Sequence, residues 1–487
     1  MWLTTVMEVL FAGAVAALAV DLGARWLGRR RSLSVALVSC AAIIGALAMV
    51  VSDWPQPGGG VVPVQPVASA LASLYTVDRF SSFMALTVLV VGLVSSVFAW
   101  RQLGPKANHG PFFGLLLLLL GSLVGVVSAG DYLSLFLFWE GMSVAAYALV
   151  SFARSQLSLE ASIKYFFMAG IGSLMALYGI AVIYSATGSL QLGSVGALVA
   201  SGSQTVTFGI ALVIVGLGVE AAIVPMHTWL PDVYSTASLP STSVISGAVT
   251  GTGVFAILKV VQPLVPGGGF LVAALSAGSS LPSIQYLIAS LALITMFVGN
   301  LSGLFQTNLR RILSFSSIAQ TGYMLAALAT MSVPGLVAVV FTAWNNGLLK
   351  SSFFMLLGRQ GSAMESADLK NLEGMGRRNR PLGFLYASSA LAMMGAPPFG
   401  MFWSEILVVL ALLSAKTALF FWLGVAVVGN ILVSIGYYYK IINSIVFGKS
   451  ETPPEKGTYA DLVPSAALLS LSLITGVIPF LLLNALA

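Results

Sequence analysis

The feature that most limits this chain is a succession of apolar runs, each long enough to cross a lipid bilayer. A helix needs about 20 predominantly apolar residues to span the hydrocarbon. Such runs fall at roughly 2–24, 32–52, 79–100, 111–129, 132–152, 160–184, 204–224, 241–263, 283–303, 312–331, 333–358, 382–413, 417–446 and 462–485. The fourth and fifth are separated only by Ser128-Ala129-Gly130-Asp131. One helix of about 40 residues would overshoot the membrane, so two are expected there. Links are mostly short and leave no room for a soluble domain. The expectation is an all-α polytopic membrane protein with about fourteen transmembrane helices.

Composition agrees. Hydrophobic residues make up 58% of the 487 and charged residues 8%, with a mean hydropathy of +0.97. A soluble domain is about 25% charged, so a water-soluble enzyme, a nucleic-acid binder and a disordered chain are all excluded. One cysteine, Cys40, and two histidines rule out an internal disulfide and a structural zinc or iron–sulfur site. Cys40 lies in an apolar run and is read as packing. No cofactor is expected in this chain, and any redox group would reside in a partner.

Position matters more than net charge. Sixteen of the 22 basic residues lie in links after odd-numbered runs, among them Arg25, Arg29, Arg30, Arg31, Lys106, Arg310, Arg359 and Lys456. The opposite links hold little beyond Arg79 and Lys416. By the positive-inside rule the first set is cytoplasmic and both termini lie outside. The first run carries Glu8 and Asp21, and its basic residues follow it. A cleaved signal peptide would have the reverse order.

Two runs contain helix breakers. The seventh runs into Val224-Pro225-Met226-His227-Thr228-Trp229-Leu230-Pro231, and the twelfth is interrupted at Gly395-Ala396-Pro397-Pro398-Phe399-Gly400. Backbone groups freed at membrane depth persist only where protein or water satisfies them. Paired interruptions point to the ion site of an inverted-repeat transporter. Spacing also suggests two halves. Glu220 and Glu405 are 185 residues apart, and Lys164 and Lys350 are 186 apart, each lysine followed closely by Phe-Phe.

Ionisable residues inside spans are expensive and mark function by default. Glu140 lies near the middle of the fifth run, Glu220 beside the first break and Glu405 just past the second. Each is a candidate proton- or ion-carrying group; the plainer alternative is a hydrogen-bonded structural carboxyl. Lys350, preceded by Asn345 and Asn346, is a candidate because of its depth, with snorkelling as the alternative. Lys164 follows Glu160 by one turn, so an i,i+4 ion pair competes with a transport role. Lys259 is near the outer end of its run and is expected to snorkel. His227 could gate proton entry or serve loop packing. Ser316, Ser317 and Gln320 could hold a water chain or cross-link helices.

These residues carry a family resemblance over roughly 75–450. The chain resembles the antiporter-like proton-conducting membrane subunits of respiratory complex I, a family shared with membrane-bound hydrogenases and multisubunit Mrp-type cation/proton antiporters. The most specific piece is Val224 to Asp232 (Val-Pro-Met-His-Thr-Trp-Leu-Pro-Asp), followed by Ser246-Gly247. Supporting it are Phe138-Trp139-Glu140, Ala161 to Phe166, Asn308 to Ser317, Asn346 to Lys350 and Gly395 to Glu405.

The resemblance implies fourteen helices with two inverted five-helix repeats and broken helices 7 and 12. The chain would divide into residues 1–110, 111–263, 283–446 and 462–487. It also implies a row of buried charges in which Glu140 pairs with a seventh-helix lysine and Glu405 is the twelfth-helix acid. Two positions depart from the pattern: Glu220 stands at the seventh-helix lysine and Gly251 at the eighth-helix lysine, while Tyr234 replaces a second histidine of some members. Two nearby carboxyls in low dielectric would share a proton or bind a cation.

Three readings follow. The first is an ion-translocating subunit of a redox-driven complex in a prokaryotic cell membrane, with other membrane subunits and peripheral redox subunits as partners and no nucleic acid. The second is a subunit of a cation/proton antiporter without redox partners. The third is a scaffold subunit that has lost translocation.

Overall fold

The computed structural model describes residues 2–27, 31–55, 75–76, 78–104, 107–265, 281–358, 367–449 and 459–486. The basic residues Arg29, Arg30, Lys106, Arg359 and Lys456, used above for orientation, lie outside them.

Seventeen principal helices follow one another: α1 (Trp2–Leu27), α2 (Arg31–Ser52), α3 (Arg79–Gln102), α4 (His109–Ser128), α5 (Tyr132–Ser151), α6 (Gln156–Thr187), α7 (Gln204–Leu217), α8 (Trp229–Thr236), α9 (Leu239–Leu264), α10 (Leu281–Leu304), α11 (Leu309–Ala329), α12 (Val333–Leu357), α13 (Arg380–Met393), α14 (Gly400–Ser414), α15 (Ala418–Ile442), α16 (Val463–Val477) and α17 (Pro479–Leu486). Among the described residues, ten helices are long and apolar enough to cross a bilayer, eleven if the bent pair α16–α17 counts as one span. The expected fourteen is therefore not a count that length and apolarity reproduce. The two interrupted runs are split into α7/α8 and α13/α14, and α12 carries Asn345, Asn346 and Lys350. The last run, expected as one helix, bends by 80° between Val477 and Pro479.

Helix starts are written into the links. Asp131 caps α5 by accepting from Ser134 N at 2.7 Å, which is why Ser128 to Asp131 divides two helices instead of continuing one. Ser155 and Ser158 form a reciprocal capping box that starts α6 at Gln156, before the boundary expected at 160.

α9 and α11 are buried along nearly their whole lengths and form the centre. The outer helices α1, α2, α6 and α15 expose apolar side chains, among them Leu22, Leu37, Leu174 and Trp422, a surface suited to lipid or to other membrane helices. Small residues set the close contacts. A Cβ at Gly172 of α6 would meet Gly216 O at 2.6 Å, and one at Gly347 of α12 would meet Gly247 O at 2.4 Å. Gly247 belongs to a widened π turn, Ile245–Val249, within α9, a distortion that recurs at functional positions.

Candidate functional site

The two breaks carry the site. After Leu217 the helical backbone stops, and residues 218–228 form turns before α8 begins. Ala222 takes a left-handed φ of 56° three residues before Pro225, and Gly395 one of 74° three residues before Pro398. Seven residues beyond each proline stands an acid, Asp232 and Glu405. The breaks thus register Asp232 with Glu405, whereas the 185-residue spacing had paired Glu220 with it.

Glu220 lies inside the first break and is fully buried. Its carboxylate is held by hydroxyls from two neighbouring helices: Ser143 Oγ of α5 donates to Oε1 at 2.7 Å, and the Tyr165 hydroxyl of α6 donates to Oε2. Glu140, also on α5, is close enough to interact with Glu220 electrostatically, and its own Oε1 is buried without a hydrogen-bond partner. α9 reaches the break because Gly253 has no side chain; a Cβ there would sit 2.7 Å from Ala221 N. At Gly251, by contrast, a Cβ would rest 3.5 Å from the Ala343 Cβ, an ordinary contact.

α11 joins this end to α12 and α14. Thr321 Oγ1 donates to Ala221 O at 2.9 Å, beside Glu220. On another face of α11, Ser316, Gln320 and Tyr323 follow helical spacing and run antiparallel to Lys350, Asn346 and Thr342 on α12. Lys350 is fully buried and does not snorkel: Nζ donates to Leu313 O at 2.9 Å and to Ser316 Oγ at 2.6 Å. Ser316 meets the Tyr438 hydroxyl of α15. Tyr438 packs on Tyr437, whose hydroxyl donates to Asn300 Oδ1 at 3.0 Å. Asn300 Nδ2 then donates to the Tyr323 hydroxyl at 2.7 Å.

The far end of this seam is a narrow cleft lined by Gln320, Tyr323, Thr342, Ser404, Glu405 and Val408. Glu405 folds back over the second break, where a Cβ on Gly395 would lie 2.1 Å from its Oε2. Gln320 Oε1, Thr342 Oγ1, Asn346 Oδ1 and Glu405 Oε1 are buried and have no hydrogen-bond partner. Four such atoms along one seam are unusual, because buried polar groups are nearly always satisfied. Thr342 to Lys350 is eight residues, roughly 12 Å of helix.

Three lysine and histidine candidates lie elsewhere. Lys164 is about half exposed and pairs with Asp232 at 3.1 Å and Glu160 at 3.2 Å, so the expected i,i+4 pair is present together with an inter-helix one. Lys259, expected to snorkel, is instead buried and donates to Thr76 at 2.6 Å and Ser81 at 3.3 Å. The polar start of α3 gives its ammonium partners inside the protein, so it has no need to reach the interface. His227 is half-buried in the turn after Pro225 and takes no part in the seam. Arg310, counted above among link charges, is buried and donates to the carbonyls of Ser235 and Ala237 at the end of α8, where the helix dipole favours a cation. Tyr165, Ser143, Asn300 and Tyr438 go unnoticed in the sequence because single uncharged polar residues are common in apolar runs, and only the placed helices show which of them face Glu220 or the seam. Among the described residues no three His, Cys, Asp or Glu side chains gather as metal ligands.

Fold and site together define a class, a polytopic helical membrane protein with two interrupted spans and buried charged residues beside both. The chain belongs to the NADH:quinone oxidoreductase/Mrp antiporter transmembrane family, whose model matches residues 129–431. Subunit N 1 of the NADH-quinone oxidoreductase of Sorangium cellulosum is 32% identical over 388 residues, 77% of this chain and 74% of that one. Subunit N of the Thiobacillus denitrificans enzyme is 29% identical over 441 residues, 89% and 85%. A chain of the membrane-bound sulfane sulfur reductase, an archaeal respiratory membrane complex, superposes with a TM-score of 0.83 at 27% identity, covering 99% of this chain and 96% of that one. A chain of the Mrp complex from a Dietzia species reaches 0.85 at 23% identity, covering 99% and 96%. At that identity the likeness speaks to the fold alone.

Proposed function

We propose that this chain is an antiporter-like membrane subunit of a redox-driven complex and moves protons across a prokaryotic cell membrane. The observation that carries the reading is the buried polar line from Glu140 and Glu220, past Thr321 and Gln320 of α11, to Glu405 at one end of the α11–α12 seam and Lys350 at the other. Carboxyls and an ammonium are groups that hold a proton, while the unpartnered amide and hydroxyl oxygens between them are acceptors for water or for a passing proton. Burial keeps the charges from being neutralised by bulk ions. The relatives named as subunit N of NADH-quinone oxidoreductase, and the neighbour within an archaeal respiratory complex, support redox partners in other subunits.

In this reading residues 111–263 and 283–446 form two halves, each with one break, and the basic links face the cytoplasm with both termini outside. The matching positions of Ala222/Pro225/Asp232 and Gly395/Pro398/Glu405 support the division. Lys164, His227 and Lys259 belong to the edges of the path and not to its centre.

A second reading, a scaffold subunit that no longer translocates, is favoured by Glu220 and Gly251 at positions where the family has lysines. Proton uptake by vesicles holding the assembled complex separates the two. With Glu140→Gln or Glu405→Gln the first reading expects pumping to be lost while electron transfer in the partners continues in part. Unchanged pumping would favour the scaffold. Sodium/proton exchange without any electron donor would point instead to an antiporter complex.

A further inference from the structure

Glu220 differs from Glu140, Lys350 and Glu405 in how it is held. It lies in no helix, so its backbone does not fix its carboxylate, and each of its oxygens is set by a hydroxyl from another element. Ser143 is a short side chain on a continuous helix. Tyr165 is long, and its hydroxyl goes where its ring goes. That ring lies flat against Trp229, with centroids 4.0 Å apart and planes 2° from parallel. The Trp229 indole N–H in turn donates to Val219 O at 2.8 Å, the residue before Glu220. Ring, indole and break therefore close on one another.

Next to each aromatic is a charge. Lys164 precedes Tyr165 on α6, and Asp232 follows Trp229 by three residues on α8, which places it on the same side of that helix. The two charges pair at 3.1 Å, and Lys164 also holds Glu160 of α6 at 3.2 Å. At this level the α6–α8 contact is thus an inner aromatic stack and an outer ion pair. The pair faces outward among the exposed side chains of Leu159, Ile163, Phe166 and Phe167. Apolar surroundings weaken screening and strengthen it relative to an ion pair in water.

We propose that Tyr165 is a positioning residue for Glu220, and that the Lys164–Asp232 pair on the exposed face of α6 sets it. The proposal rests on the reading of Glu220 as a proton-carrying group. Two hydroxyls donating to both oxygens favour the ionised carboxylate, against the like charge of the neighbouring Glu140 on α5. When Glu220 takes a proton on Oε2, the Tyr165 hydroxyl stops donating there and turns to accept from the new O–H, because a protonated carboxyl is itself a donor. A charge brought up to the α6 face competes for Lys164 and loosens the stack, so a surface event reaches a buried carboxyl through one residue step.

The test is infrared spectroscopy of the purified complex across a pH series, following the protonated-carboxyl band that Glu220→Gln removes. Tyr165→Phe keeps the ring and the stack and deletes one donor to the ionised form. The band should then persist about one pH unit higher than in the wild type. Lys164→Met should move it in the same direction, and Lys164→Arg should restore the wild-type midpoint. A wild-type midpoint in Lys164→Met alongside a moved one in Tyr165→Phe would overturn the coupling. An unmoved midpoint in Tyr165→Phe would overturn the positioning role, as would the lack of any titrating band that Glu220→Gln removes. Pumping that survives Glu220→Gln would instead contradict the reading on which the proposal rests, while the band midpoints still report on Tyr165.

Discussion

Lys350 is a buried ammonium with two short hydrogen bonds, and two substitutions separate its structural cost from its use. Lys350→Met replaces a buried charge by an apolar side chain of similar length, and the desolvation cost it lifts offsets the two hydrogen bonds it removes. The expected result is an unchanged or higher unfolding temperature in detergent together with loss of proton translocation; loss of both would make the lysine a structural element. Ser316→Ala removes one of its two acceptors and should destabilise the protein by about 1.5–3 kcal/mol, read as a lower unfolding temperature. Gly395 is constrained twice, by its left-handed φ and by the Glu405 carboxylate above it. Gly395→Ala should cost about 1–3 kcal/mol from the backbone alone and displace Glu405, so translocation should fall further than stability does. These buried charges stood out in the sequence because a charge in an apolar run is conspicuous. Most of their partners did not: Tyr165, Ser143 and Tyr438 look like ordinary packing until the helices are placed.

At the level of elements, α11 reaches both breaks. One face touches the first break through Thr321 and the other lines the seam to Glu405 and Lys350. Its polar residues were visible in the sequence as Ser316, Ser317 and Gln320, but a helical stripe has no direction until its neighbours are known. The breaks were legible from Pro225, Pro397 and Pro398, because proline cannot continue a helix. Their mutual register was not, because Glu220 precedes Pro225 by five residues while Glu405 follows Pro398 by seven, so the two acids stand on opposite sides of their breaks. Lys259 and Arg310 show the same limit from the other side. Both were assigned to the aqueous edge by position along their runs, and both are buried because a neighbouring helix end supplies oxygen partners. The approach of α9 to the first break gives a direct check. Gly253→Ala places a Cβ 2.7 Å from Ala221 N, and such overpacking should cost about 1–3 kcal/mol. A variant as stable as the wild type would show that α9 and the break are not in contact.

On the scale of the molecule, the low charge content takes on a specific meaning. The chain keeps most of its charges in links and commits a few to the interior, where Glu220 and Glu405 stand beside the two breaks and Lys350 lies at the opposite end of the α11–α12 seam from Glu405. Without a lysine at positions 220 and 251, the buried polar line is more acidic than the family pattern, which favours proton transfer between carboxyls over a lysine relay. The central claim is that this line carries protons during turnover of the assembled complex. The most direct measurement is the number of protons translocated per electron in sealed vesicles containing the complex, wild type against Glu405→Gln. The account predicts that the ratio falls by the share this subunit carries while electrons still flow. An unchanged ratio at equal electron flux would contradict it.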